Sequence, residues 1–472
     1  MNRRQFLLAA AAASGTILLA ACAPRPSPAE VPTPAPAEAT AAPAQAASLQ
    51  IMWRTNPDEN LMINEVIQAF HERAPDVHVE QVTVPWTDFE PRLMSLFAGG
   101  AAPDIYGTGG TNPWIERAYR GMVLPLDPYV EKEGPSFTDD IWPVALSSYR
   151  ANNRLLALTF GITEAGVFIN ATQFDEAGIP YPPIDWQHPW TWDEMMETAR
   201  KLTRVSHKAD TFGIDLGHYT PWYYTRLWGG DLVSHEDYAS GILHQWQTNI
   251  RANYEACIAG LQARADAILK DKVMPDPATT ATLLQIGPML RTGTVAMEFS
   301  PGWIIWGELP RQYRFRAATN PVGGAGGSGT TCRNCWSDPV EINAKTRVAD
   351  QAWAFAKFMA TDPDAVRIQL KHRATLPVCK SCLDLYLQAY GSQLAMTTEE
   401  QRTFFAGAIQ QAETTVPDHI LVGSAAIRDL QTTELDPVWS GQRTVKEAVD
   451  ILIPKVNAEL AEYLQSLNLA RE

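Results

Sequence analysis

The order of apolar and polar positions after residue 47 predicts strands and helices in alternation. Residues 49–53 alternate as a strand does, and apolar residues between 61 and 70 recur at helical spacing up to Pro75. Residues 77–84 form a second β-rich stretch in which the alternation breaks once. The chain therefore begins with a strand, a helix and another strand.

A second helix is predicted over residues 89–98, where two glycines end it, and a short strand over residues 103–106. The order β-α-β-α-β predicts an α/β sheet covered by helices. In such sheets ligands bind beyond the carboxyl ends of the strands. Trp53-Arg54 and Thr108-Gly109 follow two of these strands, which places them at a candidate binding site, with Trp53 and Thr108 as candidate binding residues.

Three Thr-x-x-Glu sequences predict helix starts at Thr191, Thr397 and Thr444. Another helix is predicted over residues 348–359. No repeat of fixed period is found. We assign Trp192 and Trp353, which lie in predicted helices, to helix packing.

The N-terminal segment has the pattern of an export signal. Residues 1–21 combine a paired-arginine start with an apolar, alanine-rich stretch, and Leu19-Ala-Ala-Cys22 resembles a bacterial lipobox. Asn2-Arg-Arg-Gln-Phe-Leu7 also resembles a twin-arginine signal, so general secretory and twin-arginine export both remain open. Residues 22–47 are rich in Pro and Ala, which predicts an extended spacer behind a lipid on Cys22.

Composition and charge exclude some partners. The chain has 472 residues, and its net charge of −15 makes nucleic acid an improbable ligand. Removal of Arg3 and Arg4 with the signal brings the charge to −17. The 15 Trp residues fit either an aromatic-rich core or a surface on which a ligand stacks.

The sequence contains no common hydrolase motif. H-E-x-x-H, G-x-S-x-G and S-x-x-K are absent, so no catalytic residue and no enzyme activity are predicted. The glycine-rich run 323–329 lacks the Lys-[Ser/Thr] of a phosphate-binding loop, which favours a connecting segment. No cofactor is predicted.

Two CxxC pairs are formed by Cys332 with Cys335 and by Cys379 with Cys382. Export favours disulfides over a four-cysteine zinc site, because the gap between the pairs is far longer than zinc motifs use. Free thiols are the third possibility, and the pairing stays open. Cys257 falls in a helical stripe and is expected to be buried.

Several segments, spread in order along the chain, resemble one family. They are Val66-Ile-Gln-Ala-Phe70, Ala98-Gly-Gly-Ala-Ala-Pro-Asp-Ile105, Phe168-Ile-Asn170 with Phe174-Asp-Glu-Ala-Gly178, Trp190-Thr-Trp-Asp-Glu194, Gly293-Thr-Val-Ala-Met297 with Gly302-Trp303, and residues 349–359. The pattern resembles the extracellular solute-binding proteins of ABC importers, family 1, the sugar-binding and maltose-binding-protein-like type.

The resemblance implies an α/β, two-lobe periplasmic-binding-protein fold of type II, with a ligand cleft between hinge-linked lobes. Lobe 1 is expected to hold residues 48–158 and 324–362, and lobe 2 residues 159–322 and 363–472. Both CxxC pairs would then lie near lobe crossings. The implied partners are a carbohydrate and the transmembrane subunits of an ABC permease.

The expected ligand-binding residues are mostly aromatic, because sugar rings stack on indole and phenol faces. They are Trp53, Thr108, Glu164, Tyr223, Trp228, Trp303, Trp306, Trp336 and Arg373. The resemblance places a stacking aromatic at Trp303 or Trp306. The alternatives are core packing for the aromatics, a surface charge for Glu164 and a salt bridge for Arg373.

The sequence thus predicts a monomeric lipoprotein on the outer face of the cytoplasmic membrane, periplasmic or extracellular, that delivers a carbohydrate to a permease. Two other functions stay open. One is an exported enzyme that acts on glycosides with two carboxylates, and the other is a sensor subunit that presents its ligand to a membrane receptor.

Overall fold

The computed structural model describes residues 47–55, 57–107, 114–204, 211–216, 226–229, 251–305, 310, 312–331, 335–412 and 423–469. The strands are β1 (Ala47–Thr55), β2 (Val77–Pro85), β3 (Ile105–Gly107), β4 (Arg150–Ala151), β5 (Arg154–Leu155), β6 (Leu158–Asn170), β7 (Met297–Pro301), β8 (Phe315–Ala318) and β9 (Cys335–Ile342).

The helices alternate with the strands in the first part of the chain and dominate the last part. They are α1 (Pro57–Arg73), α2 (Phe89–Ala98), α3 (Trp114–Tyr119), α4 (Asp127–Glu133), α5 (Pro135–Asp140), α6 (Pro143–Ser147), α7 (Ala171–Ala177), α8 (Trp192–Leu202), α9 (Arg251–Leu269), α10 (Pro277–Leu284), α11 (Met289–Thr292), α12 (Ala349–Thr361), α13 (Pro363–His372), α14 (Leu383–Tyr390), α15 (Thr398–Gln410), α16 (Ser424–Trp439) and α17 (Val445–Ser466).

The predicted β-α-β-α-β start is confirmed. β1 pairs in parallel with β2 on one side and with β3 on the other, so these three strands end at the same edge of the sheet. Helix α2 spans the ten residues expected and ends at Gly99. β2 is one continuous strand although its side chains do not alternate strictly, because its backbone is paired with β1 from end to end.

β6 is the strand that joins two parts of the sheet. All thirteen of its residues are buried. Its first half, from Leu158 to Glu164, pairs with β9, which in turn pairs with β3. Its second half, from Ala165 to Asn170, pairs with β7 and β8 instead. The chain therefore passes from one group of strands to the other between Glu164 and Ala165.

The segment after α13 also contacts β6, close to the point where β6 changes partners. Ile162 and Leu376 exchange both backbone hydrogen bonds at 2.8 Å, so the stretch after α13 runs against β6. The ladder between β6 and β9 shifts register between Thr159 and Ile162. This irregularity lies three residues before the point where β6 changes partners.

Buried side chains form a large hydrophobic core around β1, α1 and α12, and another around α8, α9 and α17. Trp353 belongs to the former and Trp192 to the latter, which confirms their packing roles.

All three predicted capping boxes are present, at Thr191, Thr397 and Thr444. Within the described ranges, no helix has the length and apolar character needed to cross a membrane.

Candidate functional site

The candidate site lies at the edge of the sheet where β1, β2 and β3 end. β9 starts at this edge and β6 leaves it, because β9 runs antiparallel to both β3 and β6. Trp53 and Arg54 therefore lie at this edge, where open α/β sheets bind ligands, and β6 continues past the edge to Glu164. Thr108, directly after β3, lies outside the described residues.

Glu164 is a buried carboxyl group at the point where β6 changes partners. It is 2% exposed, and its Oε1 atom has no hydrogen-bond partner among the described residues. Burial raises the pKa of Glu164 to about 8, because an ionised carboxylate is poorly solvated in apolar surroundings. At neutral pH the group is therefore mainly a neutral acid, which both donates and accepts hydrogen bonds.

The turn after β7 lies directly against this carboxyl group. Pro301 pairs with Ala165, and a Cβ atom added to Gly302 would lie 2.2 Å from Glu164 Oε1. Any larger residue at position 302 would require the Glu164 carboxyl group to move. The short helix Gly302–Ile305 begins here and carries Trp303, so the Trp303 backbone lies next to Glu164. The side chain of Trp303 and all of Trp306 lie outside the described residues.

Arg373 is 5% exposed and belongs to a cluster of charges. Its two Nη atoms donate to Glu59 Oε1, at 3.2 Å, and to Asp338 Oδ2. Its guanidinium carbon lies 5.0 Å from the centroid of the Phe160 ring. The structure thus shows the salt-bridge alternative considered for Arg373.

The structure joins Trp53 to this cluster through the same phenylalanine. The Trp53 and Phe160 rings meet edge-on with centroids 5.1 Å apart. Trp53 is fully buried, and a Cβ atom on Gly107 would lie 1.9 Å from its ring. A ligand could therefore reach the indole only if this packing opened.

The other described aromatics among the predicted residues, Trp228 and Trp336, pack against the core that contains Trp192. Trp228 packs edge-on against Trp192 with ring centroids 5.1 Å apart. Trp336 pairs with Thr163, next to the Glu164–Cys335 pair, and packs against the core that contains Trp192. Tyr223 lies outside the described residues. The structure thus links Trp53 with Arg373 through Phe160, and it places the Trp303 backbone beside Glu164, four residues further along β6 than Phe160. Trp228 packs against Trp192 instead.

The two CxxC pairs have different environments. Cys379 and Cys382 form a disulfide, and both are buried. Cys335 carries a free, buried thiol beside Glu164, and burial raises the pKa of this thiol to about 12. Cys22 and Cys332 lie outside the described residues, and Cys257 is buried as expected. In the part of the chain that is described, no group of three or more His, Cys, Asp or Glu side chains is arranged to hold a metal ion.

Sequence reasoning missed two residues of the charge cluster, Glu59 and Asp338. Glu59 lies in the first turn of α1, five residues after Arg54, and this spacing was the only local indication of a contact. Asp338 lies inside β9 and gave no local indication. Its partner Arg373 is 35 residues away.

A cavity of about 830 Å³ lies elsewhere, between α9, α10 and the end of α16. Its lining includes the apolar residues Ile268, Met274 and Trp439 and none of the predicted binding residues. We therefore place the candidate site at the sheet edge, where the chain crossing and the buried polar groups coincide.

Solved structures share this fold. The sugar-binding protein MalE of Xanthomonas citri is 16% identical and superposes with a TM-score of 0.70, covering 90% of this chain and 100% of its own. An ABC substrate-binding protein of Listeria monocytogenes, solved with cycloalternan, is 20% identical with a TM-score of 0.68, covering 87% and 98%. These likenesses show the two-lobe periplasmic-binding-protein fold.

Sequence comparison gives the class of protein. The profile of the bacterial extracellular solute-binding proteins matches residues 57–366. An uncharacterized lipoprotein of Streptomyces antibioticus is 26% identical over 156 residues, or 31% of each chain. The chain belongs to the bacterial extracellular solute-binding protein family, which confirms the resemblance found in the sequence.

Proposed function

We propose that this protein is the substrate-binding lipoprotein of an ABC importer, and that it captures a carbohydrate between two lobes and delivers it to the membrane permease. The observation that carries the proposal is the buried carboxyl group of Glu164, pressed against Gly302 where β6 changes partners. A hinge at this point would open and close the lobes around the group.

The chemistry of the site suits a sugar. A neutral carboxyl group can donate to one sugar hydroxyl and accept from another. Trp303 follows Gly302 directly, and in this proposal its indole would stack on the apolar side of a sugar ring. The two solved relatives described above are a sugar-binding protein and a complex with cycloalternan, which supports the same ligand class.

The lobe boundaries belong to the proposal. We assign residues 48–158 and 324–362 to lobe 1, and residues 159–322 and 363–472 to lobe 2. β6 then runs across the boundary, because its residues up to Glu164 pair with β9 and those from Ala165 pair with β7 and β8. A lipid on Cys22 and the spacer 22–47 would hold both lobes near the membrane, and the similarity to a lipoprotein supports this anchor. Cys22→Ala should move the protein from the membrane fraction to the soluble fraction of the producing cells; an unchanged distribution would contradict the anchor.

The central experiment is ligand binding by the purified protein. We expect at least one member of a panel of maltotriose, cellotriose, chitotriose and mannotriose to raise the melting temperature and to be recovered unchanged. Trp303→Ala should weaken its binding by about 1–3 kcal/mol, the usual range for an aromatic anchor. The absence of any binding would refute a carbohydrate ligand of this class.

The same incubation separates the alternatives. Cleavage products that disappear in a Glu164→Gln variant would favour a glycoside-acting enzyme. A sensor subunit would bind the sugar but would be recovered from membranes with a receptor, whereas the importer subunit should be recovered with its permease.

A further inference from the structure

The cavity between α9, α10 and the end of α16 lies apart from the candidate sugar site. Its volume of about 830 Å³ is in the range of sites that hold small molecules. Every residue that lines it lies within 212–278 or 433–442, and both ranges belong to the segments assigned above to lobe 2. A ligand in this cavity would therefore contact one lobe only, and its binding would not need the lobes to close.

The floor of the cavity is apolar. Ile268, Met274 and Trp439 line it and are 6%, 2% and 4% exposed, and Phe212 adds a second aromatic residue. The guanidinium carbon of Arg264 lies 4.5 Å from the centroid of the Trp439 ring and covers one of its faces. Because this positive charge would repel a second cation at the indole, the floor suits an uncharged aromatic or hydrocarbon group.

One wall of the cavity is a face of α16 that presents hydrogen-bond acceptors. Thr433, Asp436, Pro437 and Ser440 line the cavity at spacings of three and four, which places them on the same side of the helix. Pro437 has no N–H, so the carbonyl oxygen of Thr433 loses its usual helical donor. The Ser440 hydroxyl already donates to helix carbonyl oxygens, those of Asp436 and Pro437, and is left as an acceptor.

The charged groups of the lining are the carboxylates of Asp276 and Asp436 and the ammonium of Lys272, so negative charge is in excess. Both oxygens of the Asp276 carboxylate accept hydrogen bonds from Thr279, each at 2.9 Å, and thereby cap α10. The Asp436 carboxylate and the Lys272 ammonium are exposed, and neither forms a hydrogen bond or an ion pair within the described ranges. Asp436 is therefore the carboxylate that is left to bind a ligand.

We infer that this cavity is a second ligand site, which binds an organic amine with its apolar group on the floor and its ammonium group at Asp436. An ammonium group has three donors and no acceptor, so it matches the acceptors along α16 and forms a charge-assisted bond with the carboxylate. An anionic ligand would instead meet two carboxylates and one ammonium group. The inference depends neither on Glu164 nor on the carbohydrate ligand proposed above.

The test compares three probes that share one apolar part and differ in charge. They are the linear phenylbutylamine, phenylbutanol and phenylbutyrate, in which the phenyl ring is at the end of the chain. NMR titration of the purified protein gives their dissociation constants. We expect the amine to bind about fivefold more tightly than the alcohol, the effect of one charge pair about 4 Å apart in water, and the butyrate to bind most weakly. Equal affinities for amine and alcohol, or no binding of the amine, would overturn the inference.

Two variants of the lining test the role of charge. Asp436→Asn should remove the advantage of the amine over the alcohol and leave the affinity for the alcohol unchanged, whereas Lys272→Gln should increase that advantage. Asp429→Asn is the matched control, because Asp429 is exposed on the same helix and lies outside the lining. Its charge is screened by solvent and salt, so the ratio should not change. An unchanged ratio in Asp436→Asn, or the same change in Asp429→Asn, would refute the inference.

Two further measurements locate the bound amine. Thr433→Trp places an indole at the mouth of the cavity and should abolish the binding of amine and alcohol alike. Ala278→Trp, on α10, replaces this variant if circular dichroism shows that Thr433→Trp is unfolded. A saturating trisaccharide from the panel should not displace the amine. Displacement by the sugar, or unchanged binding in the folded blocked variant, would place the amine elsewhere and overturn the inference, whereas a protein that binds the amine but no sugar contradicts the proposed function alone.

Discussion

Replacement of Glu164 by glutamine should make the protein more stable at alkaline pH. The carboxyl group is buried at the strand crossing, and burial raises its pKa from 4.5 to about 8. A folded-state pKa above the unfolded value means that the folded protein binds the proton more tightly. Its contribution to stability is therefore complete below about pH 4.5 and is lost as the pH rises to about 8.

The magnitude follows from the two pKa values. At about 1.4 kcal/mol for each pH unit, the interval between 4.5 and about 8 corresponds to about 5 kcal/mol of unfolding free energy. We treat this as an upper value, because local relaxation lets water reach an ionised buried group. Glutamine has the same shape and no charge, so Glu164→Gln should not lose unfolding free energy as the pH rises.

The assay is urea unfolding of both proteins between pH 5 and pH 8.5. The difference in stability should grow in favour of the variant as the pH rises. Glu197→Gln, at an exposed position on α8, is the control and should show no such growth. Parallel pH profiles for wild type and Glu164→Gln would show that Glu164 is already ionised in the folded protein, and the reasoning from burial would fail.

Three further predictions concern stability. Glu341→Gln breaks the buried pair with Arg117 and should cost about 3–5 kcal/mol in urea unfolding; a loss below about 1 kcal/mol would contradict the pairing. Gly302→Ala forces a methyl group toward Glu164 Oε1 and should cost about 1–3 kcal/mol, less in a Glu164→Ala background; equal costs in both backgrounds would place the strain elsewhere. Thr444→Ala removes a capping box and should lower the free energy of unfolding by about 1 kcal/mol. Thr444→Ser keeps the capping hydroxyl and should retain most of this stability.

The first strands and helices, and the starts of three later helices, could be predicted from the sequence because they depend on neighbouring residues. The second helix ends at Gly99 as expected, and the three threonine caps form the predicted hydrogen bonds. These features depend on residues a few positions apart, so the sequence contains all of their interaction partners. β2 shows the limit of periodicity, because strand pairing rather than alternation kept it continuous.

Only part of the candidate site could be predicted from the sequence. Glu164 was identified as a candidate with a surface charge as the alternative, because its burial depends on β7 and β9, which come from distant parts of the chain. Trp53 is fully buried by Phe160 and Gly107, which are 107 and 54 positions away in the chain. No local pattern distinguishes such a tryptophan from one that faces a ligand.

The sequence by itself therefore determined the α/β class, the family and the edge of the sheet where a ligand is expected, because periodicity, helix caps, motifs and the order of elements along the chain can be read from neighbouring residues. Only the tertiary structure decided which polar side chains meet at that edge. Arg54, Glu59, Asp338 and Arg373 come together because β1, α1, β9 and the segment after α13 converge there. Charge compensation depends on distance in space, and residues that are hundreds of positions apart acquire that distance only when the chain folds.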